Sequence, residues 1–283
     1  MAQRLVFVDV DGTLVNHNQE VPDSAQEALA AAAAAGHQLV LCTGRSKPEV
    51  YPALLDLGFR GLVGSNGAYG EMDGAAIFDD RMPENDVAEL AAWFDSNRTA
   101  CFWTTPDAVY SVHDFIDLFR PSDGVSKPTA AGDWTAYLRQ IGPYVRTGVP
   151  KTANKVTFFL SAGSGARLAD ARERFGSRFC IVSGSMPQEL GETGELTALG
   201  MDKSVGLKKM AARLGFAPDD TVALGDSAND IAMLRSAGTG IAMGNGTPEA
   251  KEVADWVTAP IDDDGLALAF EQLGLIRHVD WQA

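Results

Sequence analysis

Leu5-Val6-Phe7-Val8-Asp9-Val10-Asp11-Gly12-Thr13-Leu14 is the stretch on which the reading of this chain turns. Leu5 to Val8 and Val10 are apolar, the pattern of a buried strand, with Asp9 interrupting it, Asp11 following and Gly12 turning the chain. A carboxylate at the end of a buried strand is costly unless something pairs with it. Two of them around one valine suggest a cation and a reaction centre. The plainer alternative is an acidic turn, since Asp-Gly is an ordinary turn signal. Segments further along the chain decide between the two.

Outward from this strand the pattern alternates. A helix is predicted over Pro22–Ala35, with Asp23 or Ser24 near its start and Gly36 beyond its end, then a strand over Gln38–Cys42. A helix over Pro48–Leu57, closed by Gly58, and a strand over Leu62–Gly64 follow. Strand–helix–strand–helix–strand predicts a parallel, doubly wound sheet with right-handed crossovers. After about Met82 the rhythm changes to helix Pro83–Phe94, strands Cys101–Thr104 and Tyr110–Val112, helix Trp134–Gln140, strand Val156–Leu160, helix Arg167–Phe175 and strand Phe179–Val182. Strand pairs mixed with helices predict an α+β module with its own antiparallel sheet. Gly184–Gly194, rich in glycine and poor in apolar residues, reads as the connection back. The first rhythm then resumes, with helix Ser204–Leu214, strand Thr221–Leu224, helix Ile231–Ala237, strand Gly240–Met243 and helices Pro248–Ala254 and Leu266–Leu273. The expected architecture is a discontinuous Rossmann-like α/β core, residues 1–82 and 188–283, with an α+β domain, residues 83–187, inserted between its halves.

Ligands of open α/β sheets bind beyond the carboxyl ends of the strands. Four strand ends here are polar or glycine-rich: Asp9-Val10-Asp11-Gly12, Thr43-Gly44-Arg45, Ser65-Asn66-Gly67 and Gly225-Asp226-Ser227-Ala228-Asn229-Asp230. Parallel strands would bring all four to one edge, a concentration of acids, hydroxyls and amides that turn chemistry alone does not explain. Asp9 and Asp226 offer hard oxygen ligands from two strand ends, which suits magnesium, and no histidine pair or cysteine cluster among the tips favours zinc. One carboxylate can attack phosphorus while the second serves as acid and then base. Thr43 supplies a hydroxyl and Gly44 an unobstructed N–H for a phosphate. Lys203 opens a helix, where acids are preferred; in isolation it reads as a solvated surface lysine, and as an anion ligand beside the acidic tips. For Arg45 a phosphate contact, a substrate contact and a surface salt bridge all stand open.

Composition sets the frame. The 283 residues are 46% hydrophobic and 22% charged, enough for one large or two modest domains and unlike a disordered chain. A net charge of −15 argues against nucleic acid or anionic membrane as partner. It also means that any anion site is built locally. Cys42, Cys101 and Cys180 each lie in apolar runs, without C-x-x-C spacing, and are expected to be buried, reduced thiols. No apolar stretch approaches the roughly 18–20 residues of a membrane span, and the chain enters its first strand without a charged leader, so a cytoplasmic protein is expected.

Taken in order, Asp-Val-Asp-Gly-Thr, Thr43-Gly44-Arg45, Lys203 and Gly-Asp-Ser-Ala-Asn-Asp resemble the four motifs of the haloacid dehalogenase superfamily. Ser65-Asn66-Gly67-Ala68, the run Glu195 to Lys203 and the position of the insert are similar to its Cof-type, class IIB sugar-phosphatase branch. The resemblance implies a HAD-like core with a C2B-type cap. It implies Asp9 as nucleophile and magnesium ligand, Asp11 as general acid/base with its carbonyl toward the metal, and Asp226 as the third protein ligand. Asp230 would orient water or Lys203. The Val10 N–H, Thr43, Gly44, Lys203 and Asn229 would hold phosphate, and Asn66 would border the substrate; of the readings open for Arg45, the substrate contact is the one expected beside it. The Gln188–Glu195 stretch is longer than the family's usual return connection.

The inserted module would act as a cap. Trp103, Tyr110, His113, Lys127, Tyr144 and Arg146 are its candidate leaving-group contacts, although for each a packing or surface role is the commoner one. The expected activity is a magnesium-dependent phosphatase for small phosphorylated metabolites, sugar phosphates first, through an aspartyl-phosphate. A phosphosugar mutase or phosphotransferase on the same core, and a non-catalytic phospholigand-binding regulator, are the alternatives. A monomer or small homo-oligomer is expected.

Overall fold

The structure is a computed structural model that describes residues 2–112, 134–160, 164–184 and 192–277. The first stretch holds β1 (Leu5–Val8), α1 (Asp23–Ala34), β2 (Gln38–Cys42), α2 (Pro52–Leu55), β3 (Gly61–Gly64), β4 (Tyr69–Met72) and β5 (Ala75–Asp79). The middle of the chain holds α3 (Glu84–Ser96), β6 (Ala100–Thr104), β7 (Val109–Val112), α4 (Trp134–Ile141), β8 (Val145–Thr147), β9 (Lys155–Leu160), α5 (Leu168–Phe175), β10 (Phe179–Ser183) and β11 (Glu192–Ala198). The last third holds α6 (Lys203–Leu214), β12 (Thr221–Gly225), α7 (Ile231–Ser236), β13 (Thr239–Ala242), α8 (Pro248–Val253), β14 (Trp256–Val257) and α9 (Gly265–Gln272).

The chain divides into two compact units, residues 1–44, 52–79 and 202–283, and residues 45–51 and 80–201. The first is built on an eight-stranded sheet ordered β14-β13-β12-β1-β2-β3-β4-β5. Its run from β14 to β3 is parallel, as the alternating rhythm predicts, and β1 lies at its centre between β12 and β2. Leu5, Phe7, Val40, Cys42, Val63 and Ala223 turn one sheet face toward Leu207 and Met210 of α6 and Met233 and Leu234 of α7. The antiparallel hairpin β4–β5 at one edge is an addition to the expected fold. Its turn is Asp73-Gly74, both with positive φ (51° and 76°), the backbone that a two-residue hairpin requires.

The second unit has a six-stranded sheet ordered β10-β11-β9-β6-β7-β8, antiparallel except for β7–β8. Helices α3 and α5 pack Val87, Leu90, Phe94, Leu168, Ala171 and Phe175 onto the face that carries Cys101, Trp103, Val156 and Phe158. Phe94 sits edge-on to Trp103 at 5.9 Å. Two sequence expectations change here. The last three residues read as the connection, 192–194, instead begin strand β11, which pairs with β9 over residues 192–197 and with β10 over residues 194–198, so this unit runs to Met201 rather than to residue 187. The glycine read as a linker signal, Gly194, lies opposite Phe158, whose ring fills the space a side chain there would need. The single helix expected over Pro48–Leu57 is instead a turn at Lys47–Glu49 and the short α2, broken at Pro52, which has no N–H to continue a helix. Residues 185–191 of that stretch, with His113 and Lys127, lie outside the described residues.

Candidate active site

The site is built where β1 and β12 end side by side, with Val8 in register with Leu224. Asp9 directly follows β1, and its N–H still donates to Leu224 O at 3.0 Å. Asp226 directly follows β12 and is half-buried. Between them the chain must turn tightly: Leu14 and Val15 N–H both donate to Val10 O (3.0 and 2.8 Å), and Gly12 takes φ 89°. A side chain on Gly12 would run into the Asp226 carboxylate, which therefore lies directly against this turn.

Lys203 enters from the first turn of α6. Asp202 caps that helix, accepting from Ser204 N (2.8 Å) and Val205 N (3.1 Å), which fixes the helix start and aims the lysine inward. The Lys203 ammonium is fully buried and donates to Asp9 Oδ1 and Asp230 Oδ1, both at 2.6 Å. Asp230 turns its other oxygen to Asp226 N (3.1 Å) and Ser227 N (3.0 Å), so it braces both the lysine and the loop that carries Asp226. The surface-lysine reading of Lys203 is thereby excluded.

One oxygen of each of Asp9, Asp226 and Asp230 lies within 4.8 Å of the others. Burial raises the Asp9 carboxyl well above the usual range, the Asp230 charge adds to it, and Lys203 opposes both. Burial and Asp230 likewise push Asp226 up to about 6, against a hydrogen bond from Thr13 Oγ1 at 3.2 Å. Burial disfavours the charge on Lys203, but Asp230 and Asp9 outweigh it and hold the lysine protonated. Among the described residues, three carboxylates thus face one ammonium, leaving two negative charges uncompensated when all are ionised. An all-oxygen donor set with that excess fits a hard divalent cation. Asp230 is occupied by Lys203 and the backbone, which leaves Asp9 and Asp226 as the available ligands.

The other predicted residues fall into two groups. Thr43 is buried at the end of β2, its N–H on Val63 O at 2.9 Å, and Asn66 N–H reaches back to Thr43 O at 3.3 Å. Asn66 adopts left-handed backbone (φ 53°), and both it and Asn229 lie beside Gly44. Val10 is buried in the turn, whereas Asp11 and Asn229 are exposed. Arg45 belongs to the second unit, where its Nη1 donates to Glu49 O at 3.3 Å and its guanidinium lies 5.4 Å from the Tyr51 ring. Of the cap candidates, Trp103 is fully buried core, Tyr110 packs against the same cluster, Tyr144 is exposed, and exposed Arg146 donates to Pro143 O and Val145 O. Cys42 and Cys101 are buried and Cys180 is partly so.

Sequence reasoning assigned no role to two residues of this site. Thr13, inside the opening motif, holds Asp226. Asn245 donates to Gly12 O at 2.7 Å and accepts from Ile261 N at 2.8 Å, bracing the turn after β1 from a fifth strand end. The Gly244-Asn245-Gly246 tip after β13 carried the same kind of signal as the four tips above.

Residues 6–270 match the model of a family described as haloacid dehalogenase-like hydrolase. A Bacillus subtilis (strain 168) protein named "Putative phosphatase YkrA" is 31% identical over 281 residues, 98% of this chain and 100% of that one. A second protein of that strain, the 5-amino-6-(5-phospho-D-ribitylamino)uracil phosphatase YcsE, is 26% identical over 97% of this chain and 95% of its own. Among solved structures, the HAD subclass IIB sugar phosphatase BT4131 superposes with a TM-score of 0.75 at 26% identity, covering 97% of this chain and 100% of that one. The match takes in both ends of the acidic cluster, Asp9 and Asp230, together with Lys203: the chain belongs to the haloacid dehalogenase-like hydrolases and is one of their phosphatases.

Proposed function

We propose that this chain is a magnesium-dependent phosphatase of small phosphorylated metabolites, sugar phosphates foremost, working through an aspartyl-phosphate on Asp9. The observation that carries the reading is the Lys203 ammonium shared at 2.6 Å between Asp9 and Asp230, with Asp226 alongside. Such a lysine fixes the Asp9 carboxyl in place and opposes the rise that burial gives its proton affinity, while leaving the excess charge that a cation would offset. Magnesium would be held by Asp9 and Asp226, with the Asp11 carbonyl facing it, and when bound it neutralises charge on the phosphoryl oxygens.

Asp9 is the nucleophile: one of its oxygens attacks phosphorus, and the bond from phosphorus to the ester oxygen breaks. Asp11, exposed and therefore able to exchange protons, protonates the departing alkoxide. It then takes a proton from the attacking water as the Asp9–phosphorus bond breaks, releasing inorganic phosphate and restoring both carboxyls. The Val10 N–H, Thr43, Gly44, Asn229 and Lys203 hold the equatorial oxygens, so most of the acceleration comes from positioning and charge stabilisation. Asn66 borders the leaving group, Arg45 is assigned to it as well, and the inserted unit acts as the cap that selects it.

The test is phosphate release from sugar phosphates, nucleotides, flavin mononucleotide and pyridoxal phosphate, with magnesium and with chelator. Magnesium-dependent release strongest on sugar phosphates is the expected result. Isomerised phosphosugar in place of free phosphate would assign the chain to a mutase. Tight phospholigand binding without turnover would assign it to a regulator.

A further inference from the structure

The segment Arg45–Tyr51 continues directly from the Thr43–Gly44 strand end, yet it packs with the second unit. What holds it there is a buried carboxylate. Glu49 Oε2 accepts from Ser46 N (2.8 Å) and Ser46 Oγ (2.6 Å), closing a turn in which Ser46 and Glu49 are 1% and 6% exposed. Glu49 Oε1 accepts from the Tyr137 hydroxyl of α4 at 2.8 Å. From the next turn of α4, Gln140 Nε2 donates to Val50 O (3.2 Å) and Pro48 O (3.4 Å). Burial, with the Glu49 charge adding to it, raises the Tyr137 hydroxyl well above its usual range, so it remains a donor at any working pH. A buried carboxylate satisfied by three donors is a rigid joint, because losing any donor leaves it partly unpaired.

We propose that Glu49 and Tyr137 are positioning residues, tying the Thr43–Gly44 phosphate loop to the inserted unit through the single Gly44–Arg45 peptide bond. Contacts that the inserted unit makes with a leaving group then bear on the loop that holds the phosphate. The tie rests on the geometry of one unit. Its consequence for catalysis rests on the phosphatase reading above. Neither residue touches the reacting atoms in this scheme, and their effect is transmitted by the backbone.

The experiment compares the wild-type 283-residue chain with Tyr137→Phe and Glu49→Gln. It measures amide hydrogen exchange of residues 46–50, and kcat and KM with the best sugar phosphate and with p-nitrophenyl phosphate. The tie predicts exchange at 46–50 faster by about fivefold to tenfold in Tyr137→Phe, the worth of one lost hydrogen bond, with β1 and β12 unchanged. It predicts a similar loss of kcat/KM on the sugar phosphate, mostly in kcat, and about twofold or less on p-nitrophenyl phosphate, whose flat ring gives the inserted unit little to hold. Glu49→Gln keeps one carbonyl acceptor for Tyr137 and should lie between the two. Gln140→Ala, which leaves the carboxylate satisfied, serves if the others fold poorly and should move exchange in the same direction. Unchanged exchange at 46–50, or an equal loss on both substrates, overturns the proposal. A wild type that hydrolyses neither substrate overturns the phosphatase reading instead, and the exchange comparison still decides whether the tie exists.

Discussion

Two buried lysines, one in each unit, show what distinguishes a reactive cluster from a structural one. Lys203 lies between Asp9 and Asp230, with Asp226 alongside, so three carboxylates meet one ammonium. Lys155 of β9, only 4% exposed in its side chain, pairs with Glu195 of β11 at 3.2 Å. Burial opposes its charge, and Glu195 and Glu49 restore it, with Arg45 as a second nearby cation. Among the described residues two cations there face two acids. Charge balance lets the second cluster serve the fold by itself. In the first, burial and then the neighbouring Asp230 charge raise Asp9 and Asp226, and the excess of carboxylates is what a bound cation would offset. Burying a lysine is thus no sign of function; burying it among too many carboxylates is.

Asp9→Asn should break the comparison most severely. It removes the proposed nucleophile and one negative charge together, so turnover is expected to fall at least about a thousandfold in phosphate-release assays, with the fold retained. Lys203→Met should cost about 3–5 kcal/mol in denaturant unfolding at pH 7, because it strands two buried carboxylates. That cost should shrink at pH 5. Burial already raises Asp9 well above its ordinary value, and losing the opposing Lys203 charge raises it further, so the folded state binds a proton that the unfolded chain does not. Lys155→Met should cost less, about 1–3 kcal/mol, since Glu195 is better placed to reach solvent, and it should leave magnesium affinity unchanged by calorimetry. The smallest effect is on pH dependence. With Asp226 near 6 and Asp9 raised by burial as well in the metal-free protein, protons compete with the cation, so affinity should weaken by about tenfold or more per unit as pH falls below 6. A level profile from pH 5 to 8 would remove Asp226 from the ligand set.

The acidic cluster was legible because its chemistry demands particular residue types at strand ends, and a parallel sheet brings strand ends together whatever the loops do. Asp9, Asp226 and Asp230 are placed by that rule alone, whereas Lys203 reaches the cluster from the first turn of α6. Residues whose roles are set by contacts within the fold were harder to read. Strand β11 carries Thr193, Glu195 and Thr197 on one face, with Thr193 and Thr197 buried, and a polar strand facing inward resembles a loop in sequence. The β4–β5 hairpin was readable from Asp73-Gly74, and the break before α2 from Pro52, two local signals outweighed by the longer helical pattern around them. Ser46 and Glu49 stand at the spacing of a helix-capping pair, but nothing in the sequence tells that Tyr137, 88 positions away, completes the joint. Arg45 shows the same limit: its motif position points to substrate, while its described hydrogen bond is to Glu49 O.

The central claim is that the excess of carboxylates over Lys203 is a divalent-cation site, and thermal unfolding with and without magnesium tests it most directly. The wild type should rise in Tm with magnesium, by the equivalent of about 2.7 kcal/mol at a hundred times the dissociation constant. Asp226→Asn should start more stable than the wild type without metal, since it removes a repelled charge, and should lose the response. An unresponsive wild type, or an equal rise in both proteins, would contradict the account.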